Sequence, residues 1–146
     1  SFHVTGVQTC ALPIFVIDGV KFYGSPWQPE FYDWAFNLSR GQELAEKWAL
    51  IPNDTDILIT HGPAAGMLDW VPSGLQVGCQ DLFHRVMEVQ PKIHVCGHIH
   101  CAYGQKNFNG VEFLNAAVLN ERYQHENKPI KLEFDVNEKK IVEYYD

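Results

Sequence analysis

Two segments of this chain combine residue types and spacings that offer chemistry: Thr60-His61-Gly62-Pro63 and Gly97-His98-Ile99-His100. The first follows the apolar run Ile57-Leu58-Ile59. The second follows Ile93-His94-Val95-Cys96. Each reads as a β-branched, strand-like stretch ending in a tight turn that carries histidine. Imidazole at the C-terminal edge of a buried strand is well placed to bind a transition metal, because the sheet fixes the backbone and the loop leaves room for substrate. His98 and His100 are one residue apart, so in a turn after a strand their rings can diverge towards two ions. Gly97 permits a backbone angle that a Cβ would resist. The segments are far apart in sequence, so only folding can unite them.

The elements that must position them follow from periodicity and turn chemistry. Phe15 to Gly24 reads as a β-hairpin about Asp18-Gly19. Gly24 to Pro29 breaks regular structure, and the aromatic-rich Phe31 to Leu38 reads as a loop or short helix. Ser39 is the expected N-cap of a helix from Arg40 to Leu50, with Leu44, Trp48 and Ile51 on one face. Asp56 to Thr60 and Lys92 to Cys96 read as buried strands. Between them lie a loop anchored by Met67, Leu68, Trp70 and Val71, and a helix over Gly78–Gln90 with Leu82, Val86 and Val89 inward. Strands are then expected at Gly104–Phe108, Val111–Asn115, Ile130–Val136 and Lys140–Tyr144. Asn109-Gly110 and Asn137-Glu138 are hairpin-compatible turns. This order predicts an α/β layered sandwich rather than an all-parallel doubly wound sheet.

Bulk properties narrow the partners. The 146 residues make one domain's worth of chain. A net charge of -7 argues against nonspecific binding to nucleic acid or to an anionic membrane. A phosphate substrate stays open, since bound cations reverse the local sign. No apolar run approaches the ~20 residues that span a bilayer. Val4 to Ile14 resembles the conceptual translation of a short-read sequencing adapter, so residues 1–14 are expected to be non-native and to contribute nothing to the core. Setting Cys10 aside leaves Cys79, Cys96 and Cys101. An odd number without CxxC spacing suggests reduced thiols and a cytoplasmic location.

His61-Gly62-Pro63 and Gly97-His98-Ile99-His100 resemble the last two motifs of the calcineurin-like metallophosphoesterases. Val20 to Trp27, Asp69-Trp70-Val71-Pro72, Tyr103-Gly104, Asn115-Ala116-Ala117 and Asn120, Tyr123, Pro129 and Ile130 are similar to the subgroup of metallophosphoesterase-domain proteins. The resemblance runs from about Phe15 to the C-terminus. It implies that residues 15–146 are the C-terminal part of such a domain, a layered β-sandwich flanked by helices. It implies a hydrolase with two divalent ions (manganese, iron, zinc or similar) that cleaves phosphomonoester or phosphodiester bonds, cyclic nucleotides among them. By family analogy His61 and His98 bind one metal and His100 the other.

The family's Asp-x-His, Gly-Asp and Gly-Asn-His motifs do not occur here. Asp18-Gly19 has the reversed order and sits in a hairpin. The expectation is therefore a parent enzyme whose C-terminal portion, taken alone, is inactive and exposes apolar surface. The alternative is a non-catalytic binding or scaffold module. A zinc reading of Cys96, His98, His100 and Cys101 is disfavoured, because adjacent alternating positions rarely close a tetrahedron. His84 and His125 read as surface residues. Trp27 and Trp70 read as core or loop anchors ahead of a substrate groove.

Overall fold

The computed structural model describes residues 14–145; the adapter-like stretch, Ile14 apart, lies outside them. The chain opens with β1 (Ile14–Ile17) and β2 (Val20–Ser25), paired antiparallel with Ile14 opposite Tyr23. Asp18 and Gly19 both have positive φ, 49° and 81°, as a tight hairpin turn demands. The strand thus begins one residue earlier than the hairpin reading placed it.

The break after Gly24 holds a small surprise. β3 (Gln28–Pro29) and β4 (Asn37–Leu38) pair in parallel and pinch off the aromatic loop between them. Asn37 fastens that loop, its Nδ2 donating to the carbonyls of Phe31 and Tyr32. The expected Ser39 cap is not made. Helix α1 spans Gln42–Trp48, and Gly41, at φ 95°, precedes it. Only glycine takes that angle freely, so the helix is entered at Gln42, two residues after the expected Arg40. Glu43 still reaches back and accepts from the Ser39 N–H at 2.9 Å. Leu44, Trp48 and Ile51 are buried on one face, as the spacing requires.

β5 (Ile57–Thr60), α2 (Gln80–Val89), β6 (Ile93–Cys96), β7 (Gly104–Phe108) and β8 (Val111–Asn115) complete the centre. The sheet order is β1-β2-β5-β6-β8-β7. Its four inner strands run parallel and both edges are antiparallel. The class is α/β with a mixed sheet.

α2 starts at Gln80, because Cys79 caps it by accepting the Leu82 N–H on Sγ. Gly78 just ahead is obligatory. A Cβ there would stand 2.5 Å from the Ala64 carbonyl oxygen. The loop between β5 and α2 is stapled by Asp69, whose Oδ2 accepts from the Gly66 and Gly78 N–H groups.

The two faces of the sheet are covered differently. On one, Tyr23, Leu58 and Phe113 pack against Leu44, Trp48, Leu82 and Val86 of the two helices. On the other, Val20, Ile57, Ile93 and Leu114 meet a separate ribbon formed by β9 (Lys131–Asp135) and β10 (Lys140–Tyr145), through Leu132, Phe134, Ile141 and Tyr144. The ribbon's turn is not the two-residue Asn137-Glu138 hairpin. It runs from Val136 to Lys139, and Asp135 Oδ1 accepts from both the Asn137 and Glu138 N–H groups. Lys139 then pairs with Asp56 at 2.8 Å, tying ribbon to sheet. Among the described residues, no helix is long and apolar enough to cross a membrane.

Candidate metal centre

β5 and β6 are adjacent parallel strands, with Leu58 opposite His94. Both turns that follow them therefore leave the same sheet edge. The Gly97 N–H donates to the His61 carbonyl at 3.0 Å, joining the turns through backbone. His61 Nε2 and His98 Nδ1 come within 3.2 Å, and the ring centroids are 4.7 Å apart.

His98 sits in an unusual backbone state. Its φ is 66°, and the Ile99 N–H closes back onto the Gly97 carbonyl at 2.7 Å. A three-residue turn with positive φ at a non-glycine centre is rare and strained, at a cost of order 1–3 kcal/mol. That strain aims the His98 ring at His61. Asn115 supports the turn from beneath, its Nδ2 donating to the Ile99 carbonyl at 2.9 Å and to Leu68 at 3.2 Å.

His100 opens a short 3-10 turn, His100–Ala102. Its Nδ1 lies 2.9 Å from the Asn120 carbonyl oxygen. A carbonyl only accepts, so Nδ1 carries the proton and Nε2 keeps its lone pair. Metal-ligating histidines characteristically hold their other ring N–H in this way. His100 and His98 both line a cleft of about 130 Å³, with Phe31, Trp34, Glu121 and Tyr123 around it. Phe31 and Trp34 pack edge-on against the His98 ring, at 5.1 and 5.6 Å.

The electrostatics favour neutral rings. Burial first, then the neighbouring His61 and His100, push the His98 pKa down to about 4. His61 is exposed by surface area, yet its crowded neighbourhood lowers its pKa as well. Two neutral imidazoles at this distance meet through an N–H···N hydrogen bond, one ring donating and the other accepting. With both facing nitrogens unprotonated, a cation can take the place of that proton. A tetrahedral ion with bonds of ~2.0–2.1 Å holds adjacent nitrogens ~3.3 Å apart, close to the spacing here. The fit is partial, however. Among the described residues, no group of three or more His, Cys, Asp or Glu side chains is arranged to hold an ion. Cys96 is buried, and desolvation first and Asp69 second push its thiol up to about 12; the four-residue zinc set is not assembled among the described residues.

The other candidates sort by position. His84 and His125 are exposed. Trp27 packs against the helix-side core, whereas Trp70 is 47% exposed and so anchors no core. The sequence reading assigned Glu121 and the aromatic wall of Phe31 and Trp34 no role in the site, and singled out Tyr123 only through the family resemblance. They reach the cleft from loops, and the cluster of aromatics between Phe31 and Phe36 was the signal available for the wall.

The α/β fold has a counterpart among known proteins. A solved crystal structure superposes with a TM-score of 0.51 at 16% identity, over 71% of this chain and 43% of its own, a likeness of fold alone. No family model matches the chain. Sequence relatives are clearer. "Metallophosphoesterase domain-containing protein 1" of Homo sapiens is 53% identical over 119 residues, 80% of this chain and 36% of that protein. "UPF0046 protein T07D4.2" of Caenorhabditis elegans is 43% identical over 120 residues, 82% of this chain and 30% of that protein. "Probable rhamnogalacturonate lyase C" of Emericella nidulans is 41% identical over 87 residues, 60% of this chain and 8% of that protein. The chain belongs to a metallophosphoesterase-type family. It spans about a third of the length of the curated relatives it matches.

Proposed function

We propose that residues 15–146 are the C-terminal part of a calcineurin-like phosphoesterase domain, carrying its layered sandwich. In this reading His61, His98 and His100 contribute to a site for two divalent ions in the longer protein, His61 and His98 to one and His100 to the other. The substrate class is a phosphomonoester or phosphodiester, cyclic nucleotides included. Bound ions would polarise the phosphoryl oxygen and lower the pKa of a water. The chain's own part is to offer neutral imidazole nitrogens at fixed spacing, and to wall the cleft with Phe31 and Trp34. The observation that carries the reading is the 3.2 Å approach of His61 Nε2 to His98 Nδ1 across two turns remote in sequence.

A second reading is a binding or scaffold module that keeps the fold without catalysis. The incomplete donor set among the described residues favours it. Neutral imidazoles supply no anionic charge to hold two cations ~3.5–4 Å apart. One experiment separates the two. The 146-residue chain, and an extended chain in which the three upstream family motifs precede Phe15, are assayed on an aryl phosphodiester with manganese. The enzyme reading expects turnover only from the extended chain, with a loss of at least a hundredfold in its His98→Ala variant. An inactive extended chain supports the scaffold reading. Turnover by the 146-residue chain, abolished by His98→Ala, contradicts the claim that the upstream motifs are indispensable.

A further inference from the structure

Beneath the two histidine turns lie polar side chains that the core has no use for. His94 is 1% exposed in the middle of β6, between apolar neighbours and edge-on to the Phe113 ring at 5.5 Å. A Leu or Met at that place would fill the core with no polar atom to satisfy. The hydrogen bonds of His94 show what the imidazole does instead.

Thr60 Oγ1 lies 2.7 Å from the Gly62 carbonyl oxygen and 2.8 Å from His94 Nε2. The carbonyl only accepts, so the single hydroxyl proton points to Gly62. Thr60 Oγ1 must then accept from His94, which makes Nε2 the protonated nitrogen. This fixes the tautomer and leaves Nδ1 as a lone pair. Nδ1 is buried and has no partner among the described residues. An unsatisfied buried acceptor is costly, so the residue is retained at the expense of stability.

The relay ends on the carbonyl of the Gly62–Pro63 peptide, one peptide beyond His61. Gly62 is the most permissive residue at such a point, so the bond to its carbonyl fixes the backbone just after His61, beside the Gly97 N–H that holds the His61 carbonyl itself. We propose that His94 and Thr60 form a buried positioning relay, His94 Nε2–H to Thr60 Oγ1–H to the Gly62 carbonyl, that sets the His61 ring against His98. Neither relay residue touches the facing nitrogens, so both are positioning residues. The consequence for metal binding rests on the functional reading above; the geometric consequence does not.

The test uses the 146-residue chain and four variants. Thr60→Val is isosteric, suits a strand and removes the hydroxyl. Thr60→Ser restores it. His94→Leu removes the donor, and His94→Gln supplies an N–H at the position of Nε2. Crystal structures give the His61 Nε2 to His98 Nδ1 separation, calorimetry gives the Zn²⁺ affinity, and melting temperature monitors the fold. The relay predicts that Thr60→Val and His94→Leu separate the rings beyond hydrogen-bond reach and weaken Zn²⁺ binding at least tenfold, with Thr60→Ser and His94→Gln close to wild type. Thr60→Val carries the test alone if His94→Leu does not fold. Rings still paired in Thr60→Val, or lost equally in Thr60→Ser, overturn the proposal. A wild-type chain that holds the paired rings but binds no Zn²⁺ defeats the metal reading, while the relay is still decided by the ring separation.

Discussion

The helix-covered and ribbon-covered faces of the sheet differ in kind. On the helical face, Leu58, Phe113 and Val86 are almost wholly excluded from water. On the ribbon face, Ile59 is 40% exposed, and Phe15 and Ile17 stand open beside it. Both faces are apolar in sequence, but the ribbon covers its face only in part, burying Val20, Ile57, Ile93 and Leu114 while leaving Ile59 open. The polar tethers of the histidine turns (Thr60, His94 and Asn115) all lie on the helical side. A hydrogen bond holds a turn firmly only where the surrounding core fixes donor and acceptor, so the precision of the site is drawn from the helical face.

The sharpest contrast is in stability. Phe113→Ala should cost about 3–5 kcal/mol, because it opens a cavity in a core that has little room to collapse. Ile59→Ala should cost less than about 1 kcal/mol. Paired urea denaturation curves check this, and equal costs would erase the distinction between the faces.

Acid separates them next. Burial pushes the His94 pKa down to about 3, against an ordinary value near 6.5. Between those values the unfolded chain binds a proton that the folded chain refuses. The stability that His94 withholds from protonation is fully present above pH ~6.5 and is lost as pH falls towards 3, at up to about 1.4 kcal/mol per pH unit. His98 and His61 act in the same direction, so the His94 share is read as a difference. Stability measured from pH 7 to 4 should fall less steeply in His94→Gln than in wild type. Parallel slopes would mean that the burial of His94 is not what the helical face imposes.

A smaller effect sharpens the account of the turns. At φ 66°, His98→Gly should be about 0.5–1 kcal/mol more stable than His98→Ala, because glycine alone takes that angle freely. The same denaturation curves measure it.

Much of this was legible in the sequence. The Asp18-Gly19 and Asn109-Gly110 turns, the buried strands ahead of each histidine and the inward residues of α2 follow from turn chemistry and periodicity. The His61 and His98 turns could be placed at one sheet edge because parallel strands end together. What was not legible depends on tertiary geometry. The Gly41 entry into α1 overrides the better cap at Ser39. The four-residue ribbon turn is closed by Asp135 rather than by Asn137. Glu121 and Tyr123 reach the cleft from a loop without periodicity. The relay was hidden for a different reason. Thr60 and His94 are ordinary strand residues until pairing sets them side by side on the helical face.

The central claim is that His61 and His98 share one divalent ion. Calorimetric titration of the 146-residue chain with Zn²⁺ tests it most directly, beside His61→Ala, His98→Ala and the double control His84→Ala/His125→Ala. The account predicts one ion per chain, an affinity reduced at least tenfold by either single substitution, and no change in the control. Binding unaffected by His61→Ala and His98→Ala, or lost only in the control, would contradict it.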